Sequence, residues 1–171
     1  MATSVQIPIA EYLERTYRPD REYIDGEIVE RNMGTWEHAR IQMLLGGWFL
    51  SHESEWQVMV AVEWRARVSS TRVRIPDVTV VTSGPQPPVL VDAPVLIIEI
   101  LSPDDSYSDT QRRAEDYRKM GVETIWIIDP DTRTGRMCIG ASWTAAARLE
   151  VPGTPIFVDL PSLFAGLDPK P

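Results

Sequence analysis

The sequence predicts an α/β fold built around a mixed β-sheet. Two observations carry this reading. The segments Pro94–Leu101 and Glu123–Ile128 are almost uniformly apolar, as central strands covered on both faces are. Between them Ser106–Met120 has helical character and stops at Gly121, a natural residue just past a helix end. A strand–helix–strand unit of this kind returns the chain as a parallel neighbour.

The other elements follow in order. Ile9–Thr16 is expected to form a short helix closed by Arg18-Pro19-Asp20. Glu22–Arg31 reads as an N-terminal β-hairpin with Asp25-Gly26 at its turn. Thr35 is a suitable N-cap for a helix from Trp36 to about His52. Along it Ile41, Leu44, Leu45, Trp48 and Phe49 recur at helical spacing and predict one buried face. Gln57–Val68 and Arg72–Val81 read as strands, the second interrupted by Pro76 just before Asp77. Gly84–Pro88 is a proline-rich loop. Extra C-terminal strands are expected at Arg136–Ile139, Trp143–Leu149 and Pro155–Val158, with a closing helical turn at Asp159–Phe164.

Composition bounds the function. The 171 residues suit a single domain, 1–171, large enough to need no disulfide or structural metal. The one cysteine, Cys138, excludes an intrachain disulfide and a cysteine-rich zinc site, and it suits a cytoplasmic setting. Met1–Tyr12 lacks the pattern of a signal peptide, and no apolar run is long enough to span a membrane. The net charge of −8 opposes non-specific attraction to nucleic acid. Basic residues nevertheless cluster at Arg65, Arg67, Arg72 and Arg74, and again at Arg112, Arg113, Arg118 and Lys119.

Glu99 is the most informative residue, because a carboxylate within a buried strand is costly without a cation or strong donors facing it. It is either a metal ligand or the partner of an arginine. Asp77 opens the preceding strand, where an acid is either a turn cap or a second ligand. Asp77 and Glu99, with the main-chain carbonyl of Ile100, would suffice for magnesium, which takes oxygen ligands and keeps several waters. On the following helix Asp109, Arg113 and Tyr117 share one side. Arg113 either points at the carboxylates or pairs with Asp109 on the surface.

The runs Ile75–Val81, Pro94–Pro103, Asp109–Tyr117 and Gly121–Pro130, with Glu22–Val29 and His38 in the opening, resemble the Uma family of bacterial restriction-endonuclease-like proteins. The resemblance covers roughly residues 8–165. It implies the restriction-endonuclease-like α/β core of the PD-(D/E)XK nuclease superfamily, cleaving DNA with Mg²⁺ or Mn²⁺ held at Asp77, Glu99 and Ile100. It also implies catalytic roles for Asp77, Glu99, Arg113 and Glu22, and binding roles for His38 and Tyr117. Nuclease folds of this size often work as homodimers, and the aromatic-rich outer strands offer an interface. The sequence departs from the pattern twice. The superfamily's lysine position is Leu101, and the position to which the family's lysine has migrated is Arg113. Arginine effectively never loses its proton, so it is a poor general base. The alternative is therefore a nuclease fold that has lost cleavage and serves as a binding or oligomeric module, Arg113 neutralising the acids.

Overall fold

The computed structural model describes residues 6–32 and 34–170; Met1–Val5, the start of the segment assessed for a signal peptide, lie outside it. Helix α1 (Ile9–Glu14) ends at Glu14 instead of the expected Thr16 and is followed by β1 (Arg21–Ile24) and β2 (Glu27–Glu30). Asp25 and Gly26 join these strands at φ of 49° and 98°, the left-handed geometry a two-residue hairpin requires. Helix α2 (Trp36–Trp56) opens on Thr35, whose hydroxyl accepts the His38 N–H. It runs past His52 because the His52 ring packs against both Trp48 and Trp56, extending the ordered face by another turn.

Two segments expected as single strands are each divided. Gln57–Val68 splits into β3 (Val58–Val62) and β4 (Ala66–Ser69), turning at Glu63 with φ of 50°. Arg72–Val81 splits at Pro76, which has no N–H for a ladder, into β5 (Arg72–Arg74) and β6 (Val78–Thr82). Both breaks distribute the halves between two sheets. The smaller sheet has the order β2-β1-β5-β4.

The chain continues through β7 (Leu96–Ile100), α3 (Tyr107–Met120), β8 (Thr124–Asp129), β9 (Thr134–Ile139) and β10 (Ser142–Ala145). The larger sheet has the order β10-β9-β8-β7-β6-β3. It is mixed, as expected: β7 and β8 are parallel across the α3 crossover, and the other pairs are antiparallel. Trp143–Leu149 is also divided, since β11 (Arg148–Glu150) leaves β10 to pair with β12 (Phe157–Asp159). Asp159 then caps α4 (Leu160–Ala165) by accepting the Ser162 N–H. Among the described residues no helix is long and apolar enough to cross a membrane.

Strand alternation sorts the large sheet's side chains between two cores. Val78, Val80, Leu96, Ile98, Ile100, Trp126 and Ile128 face α2 and α4. Val81, Ile97 and Ile125 join Ala114 and Tyr117 of α3 on the opposite face. By register, Asp77 and Glu99 belong to that second face. Trp126 and Trp56 are core residues, whereas Trp36, Met43 and Leu50 are exposed on α2.

Two glycine substitutions test this packing. A Cβ at Gly135 would lie 2.6 Å from Leu160 Cδ1 and 3.2 Å from Leu149 Cδ1, both buried. Gly135→Ala is expected to destabilise by about 1–3 kcal/mol through overpacking. A Cβ at Gly47, inside α2, would meet nothing within 4 Å. Gly47→Ala is expected to stabilise by up to ~1 kcal/mol from helix propensity. Urea melts of the two variants would show shifts of opposite sign, and a shared sign would contradict this assignment of space.

Candidate active site

Asp77 sits where the chain passes from the small sheet to the large one, and its carboxylate is buried. Oδ2 accepts the Ile100 N–H at 2.7 Å, which fixes Asp77 against the end of β7 beside Glu99. Oδ1 accepts from Arg31 at 2.7 Å and lies 3.3 Å from His38 Nε2. The main chain is held as well: Gln42 of α2 donates to the Asp77 carbonyl at 2.9 Å, and the Glu63 N–H donates to the same oxygen at 3.3 Å. Burial raises the Asp77 carboxyl, but the bond to His38 and the Arg31 charge outweigh it and hold the group below its ordinary value. Burial also opposes charge on His38, and Asp77 outweighs that in turn, so the imidazole is raised. Gly34 leaves room for this histidine, since a Cβ there would lie 3.0 Å from His38 Nδ1.

Glu99 is 1% exposed. Its Oε1 accepts from Tyr117 at 2.5 Å and its Oε2 from Arg113 at 3.0 Å. Arg113 uses its other terminal nitrogen on Asp105 at 2.7 Å. Arg113 therefore points inward, and the surface partner of Asp109 is Arg112. Burial still dominates at Glu99 and pushes its carboxyl up to about 7 against the pull of Arg113, with Asp77 adding to the rise. Tyr117, expected to bind a ligand, is fully buried and acts on Glu99 instead.

Glu22 comes from the hairpin. It accepts the Ile75 N–H at 3.0 Å and an Arg74 N–H at 2.7 Å. Arg74 turns its remaining donors to Asp116 of α3, which also accepts from Arg72 at 2.9 Å. Together these groups surround one cleft of about 390 Å³, whose wall includes Glu22, Arg31, His38, Asp77, Asp105 and Arg113. Glu99 lies behind Arg113. Asp77, Glu99, Ile100, Arg113, Tyr117, Glu22 and His38 thus gather at one place, joined by Arg74 of the first basic cluster, whereas Arg65 and Arg67 do not line the cleft. Arg31, Asp105 and Asp116 were not anticipated. The Arg72-Val73-Arg74 alternation carried a signal for Arg74, because buried Val73 sends both arginines to the opposite face.

Two predictions follow from this geometry. Asp116→Ala leaves the half-buried Arg72 with Asp25 alone and the buried Arg74 with Glu22 alone, so it should cost about 1–3 kcal/mol, measured by chemical denaturation. A carboxyl raised in the fold binds more protons there than in the unfolded chain. Its contribution is complete below about 4.5 and is lost as pH rises to about 7. Stability measured across that interval should therefore decline less with pH in Glu99→Gln than in the wild type; parallel profiles would refute the burial argument.

The model of the Uma2 family, described as "Putative restriction endonuclease", matches residues 9–152. The crystal structure of a putative nuclease belonging to DUF820 from Anabaena variabilis superposes with a TM-score of 0.83 at 25% identity, covering 94% of this chain and 99% of that one. The cryo-EM structure of the DrdV–DNA complex gives a TM-score of 0.44 at 17% identity, covering 75% of this chain and 10% of that one. Among curated proteins none matches. With its mixed sheet, its carboxylate cleft and a family match over most of its length, the chain belongs to the Uma2 family of restriction-endonuclease-like proteins.

Proposed function

We propose that this protein is a metal-dependent DNA endonuclease whose reaction centre is the Asp77/Glu99 pair. The observation that carries the reading is the convergence of these two buried carboxylates at the seam of the two sheets, beneath a cleft walled by arginines and a histidine. Burying two acids beside each other is costly. Burial pushes the Glu99 carboxyl up to about 7, and a bound cation would draw it down.

The donor set fits a hard divalent ion. Asp77 Oδ2 and both Glu99 oxygens accept one protein donor each and keep a lone pair, and magnesium needs only a few protein oxygens. Among the described residues no three His, Cys, Asp or Glu side chains gather as a metal site, so the fit is to an ion held by Asp77, Glu99 and the Ile100 carbonyl. When bound, such an ion would supply a polarised water and stabilise charge on a phosphoryl oxygen. The remaining work belongs to the chain. Arg31 and Arg113 hold the phosphate, for which a planar guanidinium is well shaped. Tyr117 fixes Glu99. His38, held by Asp77 and raised by it, is a proton donor at the cleft. Glu22 is engaged by Arg74 and Ile75, so its part is to position Arg74.

One observation favours a second reading. Arg113 bridges Glu99 and Asp105, which matches a scaffold that neutralises its acids and no longer cleaves. Incubation of duplex and single-stranded DNA with Mg²⁺ or Mn²⁺ separates the two. Cleavage by the wild type, reduced at least ~100-fold in Asp77→Asn, supports the nuclease. An inert wild type that gains cleavage as Arg113→Lys supports the scaffold. Cleavage unaffected by Asp77→Asn would refute the proposed centre.

A further inference from the structure

Beside the carboxylate cleft lies a second depression of about 270 Å³, walled by Tyr12, Arg15, Tyr17, Arg21, Trp64 and Arg65. Glu63 borders both hollows, so they are neighbours. Their electrostatics differ. In the cleft each guanidinium is spent on a carboxylate. In the wall of the depression Arg65 donates to the carbonyls of Leu13 and Arg15, and Arg67, outside the wall and two residues further on in β4, donates to the Ser69 carbonyl. Neither forms an ion pair among the described residues, although Asp20 and Glu63 border the same depression as Arg65. Arg65 and Arg67 alternate with buried Ala66 and Val68, which sends them out on one face.

The depression also carries aromatic surface. Trp64 is half-buried, with its indole N–H fixed on the Pro88 carbonyl at 3.1 Å, and the Tyr12 and Tyr17 rings stack 5.4 Å apart. Tyr17 Oη and Arg21 Nε, in its wall, are buried without a hydrogen-bond partner. Two arginines outside any ion pair attract phosphates, and an anchored indole offers a platform for a base.

We propose that this depression seats a strand of nucleic acid as it leaves the carboxylate cleft, its phosphates against Arg65 and Arg67 and an unpaired base against Trp64. The inference rests on the nuclease reading, since that reading places a strand in the adjoining cleft. Glu63, at the join, is partly offset by Arg31, whose guanidinium is 3.9 Å away.

The test is fluorescence anisotropy of a labelled single-stranded oligonucleotide, in EDTA and again with Ca²⁺, over a range of salt concentrations. The Arg65→Ala/Arg67→Ala double variant should bind at least ~10-fold more weakly, with its logarithmic salt slope reduced by about 1.4. Trp64→Ala should lose about 5- to 10-fold and Trp64→Phe should recover most of it. Arg65 also supports the end of α1, so Arg67→Ala alone decides the charge question if thermal melting shows the double variant unfolded. Wild-type affinity and salt slope in folded Arg67→Ala and Trp64→Ala would overturn the inference, as would a wild type that binds no oligonucleotide in either condition. Cleavage is measured in parallel on the same proteins. A wild type that cleaves while these variants bind unchanged removes the depression and leaves the nuclease reading intact, whereas binding lost in the variants of a protein that never cleaves upholds the depression and removes the nuclease.

Discussion

The seam between the two sheets is closed by charge. Asp77 accepts the Ile100 N–H across it, Glu22 accepts the Ile75 N–H on its near side, and Arg74 runs from Glu22 to Asp116. Ion pairs in such places commonly add little net stability, because dehydrating both partners offsets their attraction. Their value here is positional. Asp77, Glu22 and Glu99 are each tied by a main-chain or aromatic donor as well as by a guanidinium. Their locations are therefore set by those donors, and the arginines adjust to them.

The large elements were readable in the sequence for simple physical reasons. Apolar runs buried on both faces, a Ser N-cap and a Gly stop fix β7, α3 and β8, and with them the parallel pair that defines the topology. The divisions at Glu63 and Pro76 were not read, although Pro76 was noted. Alternation keeps its phase across Glu63, so periodicity alone cannot tell that the halves of that segment enter different sheets, whereas at Pro76 the buried set passes from Val73 and Ile75 to Val78 and Val80, a change of phase that marks the break. The C-terminal division between β10 and β11 escaped for the same reason as the one at Glu63.

The site was readable where a residue contradicted its surroundings. Glu99 within an apolar strand and Asp77 after Pro76 announced themselves in this way. Arg31, Asp105 and Asp116 did not, because an arginine or aspartate in a polar segment is the ordinary surface case. Their importance comes from the fold, which folds the end of the hairpin, the loop before α3 and α3 itself over the two acids. The substitution at Arg113 takes on a specific meaning in this setting. The guanidinium spans Glu99 and Asp105 with separate nitrogens, which a lysine ammonium, a point donor, would not reproduce in the same way.

Helix α3 differs from α2 in how it is seated. Its buried contacts combine Ala114 and Tyr117 with Arg113 on Glu99 and Asp116 on Arg72 and Arg74. An apolar helix can roll or slip on a sheet and exchange one greasy contact for another. This helix cannot, because a one-residue slip turns its side chains by about 100° and strands every charge at once. It works as a key cut for a single lock position, and the angle between the two sheets is held to the accuracy of that cut.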